Sequence, residues 1–149
     1  MPETLEYNVS SFIFHAKRPF HPERLWELVH ESDRLDSVIR SKGFIWLATD
    51  KRHFYIWSQA GCSFRFSLGG QFWVETPVKE HPETLDKSEW HPTFGDRQQE
   101  LVIIGIDMNK EEITKSLKSC LLTKKEMVFG MQKWRRMWKN PFQRALQAS

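Results

Sequence analysis

Six histidines and two cysteines are the side chains of this chain best suited to ligate a metal or move a proton. Of these, His15, His21, His91 and Cys62 are the metal-ligand candidates, with His81 and Cys120 available to a site assembled by folding. Their spacing argues against a preformed centre. The chain has no Cys-x-x-Cys and no His-Glu-x-x-His, the patterns that put two donors on one turn or one helix face. Scattered histidines serve more often as ordinary surface or core residues than as ligands.

Nucleophilic and nucleotide chemistry fare no better. Ser58 lies in Trp-Ser-Gln-Ala-Gly, which is not the Gly-x-Ser-x-Gly elbow that exposes a catalytic serine. No Gly-x-x-x-x-Gly-Lys-Ser/Thr and no Gly-x-Gly-x-x-Gly is present, so nothing here cradles phosphates ahead of a helix. The expectation is a non-enzymatic chain with no catalytic residue, no cofactor of its own and no nucleotide-hydrolysing site. Asp96-Arg97-Gln98-Gln99-Glu100 is a compact polar cluster ahead of an apolar run. It reads as a solvated strand entry with an internal ion pair, or as a docking cluster through Asp96, Arg97 and Glu100.

These residues need elements to hold them. The centre of the chain is Gly43 to Gly61, where two aromatic and branched runs, Phe44 to Ala48 and Phe54 to Trp57, flank a charged break at Asp50 to His53. Two strands joined by a short polar break pair most simply as an antiparallel hairpin. Val9 to Ala16 is a further strand. Pro22 suits a first helical position, and Leu25, Leu28 and Val29 then share one face of a helix ending near Ser32. Ser63 to Leu68 alternates as a half-buried strand that Gly69-Gly70 closes, with Gln71 to Glu75 as a partner strand across that turn. Residues 76–94 hold three prolines and many charges, and read as a long loop. Arg97 to Ile106 is the last strand.

Two capping patterns follow, Asn109 with Glu112 and Thr123 with Glu126. The first opens a helix carrying Ile113, Leu117, Cys120 and Leu121 on one face. The second opens a helix with Met127, Met131, Trp134 and Trp138 on one face, although Gly130 weakens it. The order β-α-β-β-β, loop, β-α predicts an α+β fold, an antiparallel sheet with helices packed mainly on one face. A length of 149 residues fits one domain. It divides into residues 8–75, the loop 76–94, and residues 95–149.

Seven tryptophans and eleven phenylalanines are an unusual number; they supply large buried area per residue, and they also make good contact surfaces. The central strands are apolar on both faces. Phe44, Trp46 and Ala48 oppose Ile45 and Leu47, and Tyr55 and Trp57 oppose Phe54 and Ile56. One face is expected to take the chain's own helices. The other is expected to take a partner through Trp46 and Trp57, unless the C-terminal Trp-rich segment seals it.

The net charge is +3. Its basic excess is concentrated after Glu126, in Lys133, Arg135, Arg136, Lys139 and Arg144. A mild basic tail does not make a nucleic-acid-binding domain. No apolar run reaches a membrane span of about 20 residues. Met1 to Ser10 has no apolar core and does not read as a secretory leader. Two distant cysteines make no disulfide framework, which favours reduced thiols and a cytoplasmic setting.

Four ordered stretches resemble one family. They are Phe-Ile-Phe-His-Ala-Lys-Arg-Pro-Phe-His-Pro-Glu-Arg from Phe12, Arg-Ser-Lys-Gly-Phe-Ile-Trp-Leu-Ala from Arg40, Ser-Gln-Ala-Gly from Ser58, and Gly-Asp-Arg-Gln-Gln-Glu-Leu-Val-Ile-Ile-Gly from Gly95. Together with Ile106-Asp107 and Cys120-Leu121-Leu122-Thr123, they are similar to the C-terminal domain of CobW-like GTPases. Gln98 stands where an Arg is common, and Cys62 where a Gly is common. The resemblance implies the accessory half of a metallochaperone that serves zinc homeostasis or cobalt insertion into cobalamin. In that family the GTPase domain holds the nucleotide site and a Cys-x-Cys-Cys metal motif, and no position here matches either. Zinc or cobalt would therefore belong to the full-length system. The implied partner is a GTPase domain or a metalloprotein client, with a second copy as a further possibility. Arg40 and Lys42, inside the second matching stretch, join Trp46, Trp57, Asp96, Arg97 and Glu100 as interaction candidates. The alternative is a small metal-binding protein that uses its His and Cys side chains.

Overall fold

The computed structural model describes residues 8–148, and side chains through residue 146. Most of the N-terminal stretch that argues against a leader lies outside them. The elements are β1 (Val9–Ala16), α1 (Pro22–His30), β2 (Val38–Ile45), β3 (His53–Ala60), β4 (Ser63–Gln71), β5 (Gln99–Ile106), α2 (Lys110–Ser119), α3 (Lys124–Phe129), α4 (Met131–Met137) and α5 (Pro141–Ala148). The fold is the expected α+β.

All strand pairs are antiparallel, in the order β1-β5-β2-β3-β4. The last strand in sequence thus enters the sheet between β1 and β2. Close approach is required where it does so. A Cβ on Gly43 would collide with the backbone carbonyl of Glu100, so only glycine lets β2 lie this near β5.

Register decides which residues share a face, because directly opposed residues point the same way. Phe12, Phe14, Leu101, Ile103, Ser41, Ile45, Tyr55, Trp57 and Gln59 fall on one side. Leu25, Leu28 and Val29 of α1, Ile113 and Leu117 of α2, and Phe142 of α5 pack there and complete the main core. The polar pair in this core is satisfied. Ser41 donates to Gln59 at 2.6 Å, the Trp57 indole donates to Ser41 at 2.7 Å, and Gln59 donates to the carbonyls of Val38 and Gly61.

Four local expectations are corrected. The central hairpin forms, but its first strand stops at Ile45. Trp46 to Ala48 leave the sheet and bracket Phe20, whose N–H donates to the Trp46 carbonyl and whose carbonyl accepts from the Ala48 N–H. Gly69-Gly70 does not close a strand. β4 runs through both glycines because the Phe54 ring lies across Gly69 where a side chain would stand. Residues Trp73–Glu75 then form a 3-10 turn rather than a partner strand. The helix expected after Thr123 is two helices, since Gly130 at φ 84° breaks it between α3 and α4. Trp134 of α4 still buries, joining Trp46, Ala48, Phe72 and Leu122 in a second core beside the first.

Candidate functional site

Among the described residues no helix covers the face opposite α1, α2 and α5, and the long loop reaches only its end at Phe44 and Phe54. Register arranges this face as a lattice of three rows, each crossing the strands in the order β1, β5, β2, β3, β4. The first row reads Ser11, Ile104, Arg40, Ala60 and Ser63. The second reads Ile13, Val102, Lys42, Ser58 and Arg65. The third reads His15, Glu100, Phe44, Ile56 and Ser67. Ile13 is 61% exposed, Val102 44% and Ile56 39%. Branched apolar side chains on neighbouring strands, interspersed with Arg40, Lys42 and Arg65 against the single acid Glu100, make a mixed apolar and basic surface.

The third row leads into a cleft. Phe44 meets Phe54, and Phe54 meets Phe72, each pair with ring centroids 5.8 Å apart. Together with Trp73, Leu85 and Trp90 they line a cavity of about 360 Å³ beneath the long loop. The loop is strapped down at both ends of this cavity. Asp96 accepts from the N–H groups of Trp73 and Val74 at 2.8 and 2.9 Å. His15 bonds Gln98, and Lys17 donates to the Glu89 carbonyl.

The interaction candidates therefore divide. Arg40, Lys42 and Glu100 stand on the open face. Trp46 and Trp57 do not: they are 0% and 2% exposed in the two cores and offer a partner nothing. Their size makes them the largest apolar gains available to burial, and the fold takes those gains internally. Asp96 caps the 3-10 turn. Arg97 is buried, with Nη2 at 2.6 Å from Glu75 and Nε donating to the Lys51 carbonyl. Of the polar cluster at the start of β5, Arg97 and Gln99 are buried, Asp96 and Gln98 are half-buried and bonded within the chain, and Glu100 is exposed.

The metal candidates are not brought together. Among the described residues no three His, Cys, Asp or Glu side chains converge on a common point. His21 caps α1, its Nδ1 accepting from Glu23 and Arg24 N–H groups at 3.2 and 3.3 Å. Burial foremost, and then the Arg24 charge, lower its pKa. His91 Nδ1 accepts from the N–H groups of Thr93 and Phe94. Cys62 is exposed in the β3–β4 turn and Cys120 is buried, both as free thiols. Burial raises the Cys120 pKa.

Sequence reasoning missed Gln99. It is fully buried, accepting from the Trp46 N–H at 3.1 Å and donating to the carbonyls of Ala16 and Arg18. It ties the departing ends of β1 and β2 to β5. A polar residue opening an apolar run was its only trace in the sequence.

With this geometry in view, the comparison with known proteins is decisive. The family described as "Cobalamin synthesis protein cobW C-terminal domain" matches residues 9–121. The chain belongs to that family. A "Zinc-regulated GTPase metalloprotein activator 1" of Dictyostelium discoideum is 39% identical over 150 residues, covering 96% of this chain and 31% of the relative. A zinc chaperone of Mycobacterium tuberculosis is 28% identical over 140 residues, covering 89% of this chain and 34% of its own length. The CobW C-terminal domain described here thus spans about a third of the length of the curated relatives it matches. The Zn(II)-bound YjiA GTPase of E. coli superposes on 77% of the chain with a TM-score of 0.55 at 17% identity, covering 30% of that structure. That likeness shows a shared fold. Among the described residues no helix is long and apolar enough to cross a membrane.

Proposed function

We propose that this CobW C-terminal domain is a non-enzymatic protein-interaction module of a GTP-dependent metallochaperone in zinc homeostasis, and that its open sheet face receives a GTPase domain. The observation that carries the reading is the lattice just described. Ile13 and Val102 stand side by side and Ile56 is exposed two strands further on, apolar side chains that the described helices leave uncovered, and exposed apolar patches mark interaction sites. Arg40, Lys42 and Arg65 set the polarity of this face and favour an acidic rim on the partner, which would steer association. The zinc assignment follows the names of the relatives.

The test mixes the purified chain with the separately purified GTPase domain of a relative, with binding measured by calorimetry. Val102→Lys and Ile56→Lys place charges on exposed positions and should leave folding intact while weakening association about tenfold or more. Tight association that both variants retain overturns the reading. If light scattering instead shows concentration-dependent dimers that the same variants dissolve, the occupant is a second copy. Zinc titration under chelator competition checks the metal-binding alternative, which predicts tight one-to-one uptake.

A further inference from the structure

Between α4 and the β2–β3 connection lies a second cleft, of about 610 Å³. It is lined by Thr49, Lys51, Met131, Gln132, Arg135 and Arg136. Its lining holds three cations and no acid. Among the described residues none of Lys51, Arg135 and Arg136 takes part in an ion pair. A smaller cleft of about 360 Å³ shares Thr49, Lys51 and Arg135 and adds Arg52 and His53. The one acid there, Asp50, is already engaged by the N–H groups of Arg52 and His53, by the Tyr55 hydroxyl and by the His53 ring.

Thr49 supplies an independent sign. It is 8% exposed, and its hydroxyl oxygen is buried without a hydrogen-bond partner. An unpaired buried hydroxyl costs stability, and such groups call for an explanation in ligand or function. Here the hydroxyl belongs to the residue common to both basic clefts.

We infer that this cleft binds a compact polyphosphate anion, with Arg135, Arg136 and Lys51 pairing its oxygens and Thr49 turning its hydroxyl toward it on binding. Arginine's planar fork suits phosphate oxygens, and charge-assisted bonds of this kind are the strong ones. The concave, small-molecule-sized cleft favours a compact polyanion over an extended acidic chain. No aromatic ring lines it, so a nucleoside attached to the phosphates would remain unread. The site lies apart from the open sheet face and does not depend on the docking proposal.

Calorimetric titration of the chain with sodium triphosphate at low salt tests this. Saturable one-to-one binding is expected, weakening steeply as salt is added. ATP and GTP should compete equally with inorganic triphosphate. The double variant R135S/R136S, both side chains being exposed, should keep its melting temperature and lose roughly tenfold or more in affinity. Thr49→Val should melt no lower than the wild type, because it removes an unsatisfied hydroxyl, yet bind triphosphate several-fold more weakly. Absence of saturable binding overturns the proposal, as does affinity unchanged in both variants. Tighter binding of a hexaglutamate peptide or a short single-stranded oligonucleotide than of triphosphate also overturns it, assigning the cleft to an acidic macromolecule.

Discussion

The Arg24 guanidinium meets the Glu126 carboxylate at 2.6 Å, joining α1 to the first turn of α3 across about a hundred residues of chain. The same carboxylate accepts from the Thr123 N–H at 2.8 Å, closing the capping box, while the Thr123 hydroxyl accepts from the Glu126 N–H. One side chain thus caps a helix and fixes its position. Burial alone would raise the Glu126 pKa, but the Arg24 and Thr123 hydrogen bonds outweigh it and hold the pKa below the ordinary value.

Glu126→Ala should therefore cost about 1–2 kcal/mol, in the range of a lost helix cap. Glu126→Gln should cost less, because it keeps the capping acceptor and loses only the charge. Urea denaturation at pH 7 checks the order. Since the folded pKa is depressed, the contribution is present above the ordinary value of 4.5 and is lost as pH falls from there through the lowered value.

His21 places a second acid-sensitive point in the same region, with its ring 4.4 Å from that of Trp138. Folding favours its neutral form, whose Nδ1 accepts from the helix N–H groups. The unfolded chain takes up its proton near the ordinary 6.5 and the folded chain only at lower pH. Between those values the unfolded state binds more protons, so stability falls as pH drops below about 6.5. His21→Asn keeps a good capping side chain and should flatten this upper step while leaving the lower one from Glu126. Urea midpoints measured from pH 8 to pH 4 would show both steps.

Gly43→Ala should be among the most damaging single substitutions. The added methyl would collide with the Glu100 backbone, which cannot yield without parting β2 from β5. A loss of about 3 kcal/mol is expected. The control Gly61→Ala, at φ 59° with open space around its Cβ, should cost about 1 kcal/mol from backbone strain alone. Thermal melts of the two variants give the comparison.

The thiols should differ in reactivity. Cys62 is exposed, whereas Cys120 is buried and burial raises its pKa. An aromatic disulfide reagent should titrate one thiol quickly in native protein and both in denaturant. Two fast native thiols would contradict the packing of Cys120 against α1.

Much of this protein was settled by local pattern. Capping at Asn109 and Thr123, the helical spacing of Leu25, Leu28 and Val29, and the alternation of Ser63 to Ser67 involve neighbours in sequence, and each appears in the fold, although Leu68, expected on the buried side, is exposed. Alternation also assigned Tyr55 and Trp57 to the face opposite Phe54 and Ile56. It could not say which face would be buried, because strands apolar on both sides carry no such label. Tertiary packing decided that. It turned Trp57 inward, where Ser41 receives its indole N–H, and left Ile56 outside. It carried Trp46 out of the sheet to clasp Phe20, and set Phe54 over Gly69 so that the strand continued through two glycines. It also brought Lys51 within one cleft of Arg135 and Arg136, far apart in sequence. The open face and the basic cleft both depend on long-range approach, and no local spacing encodes it.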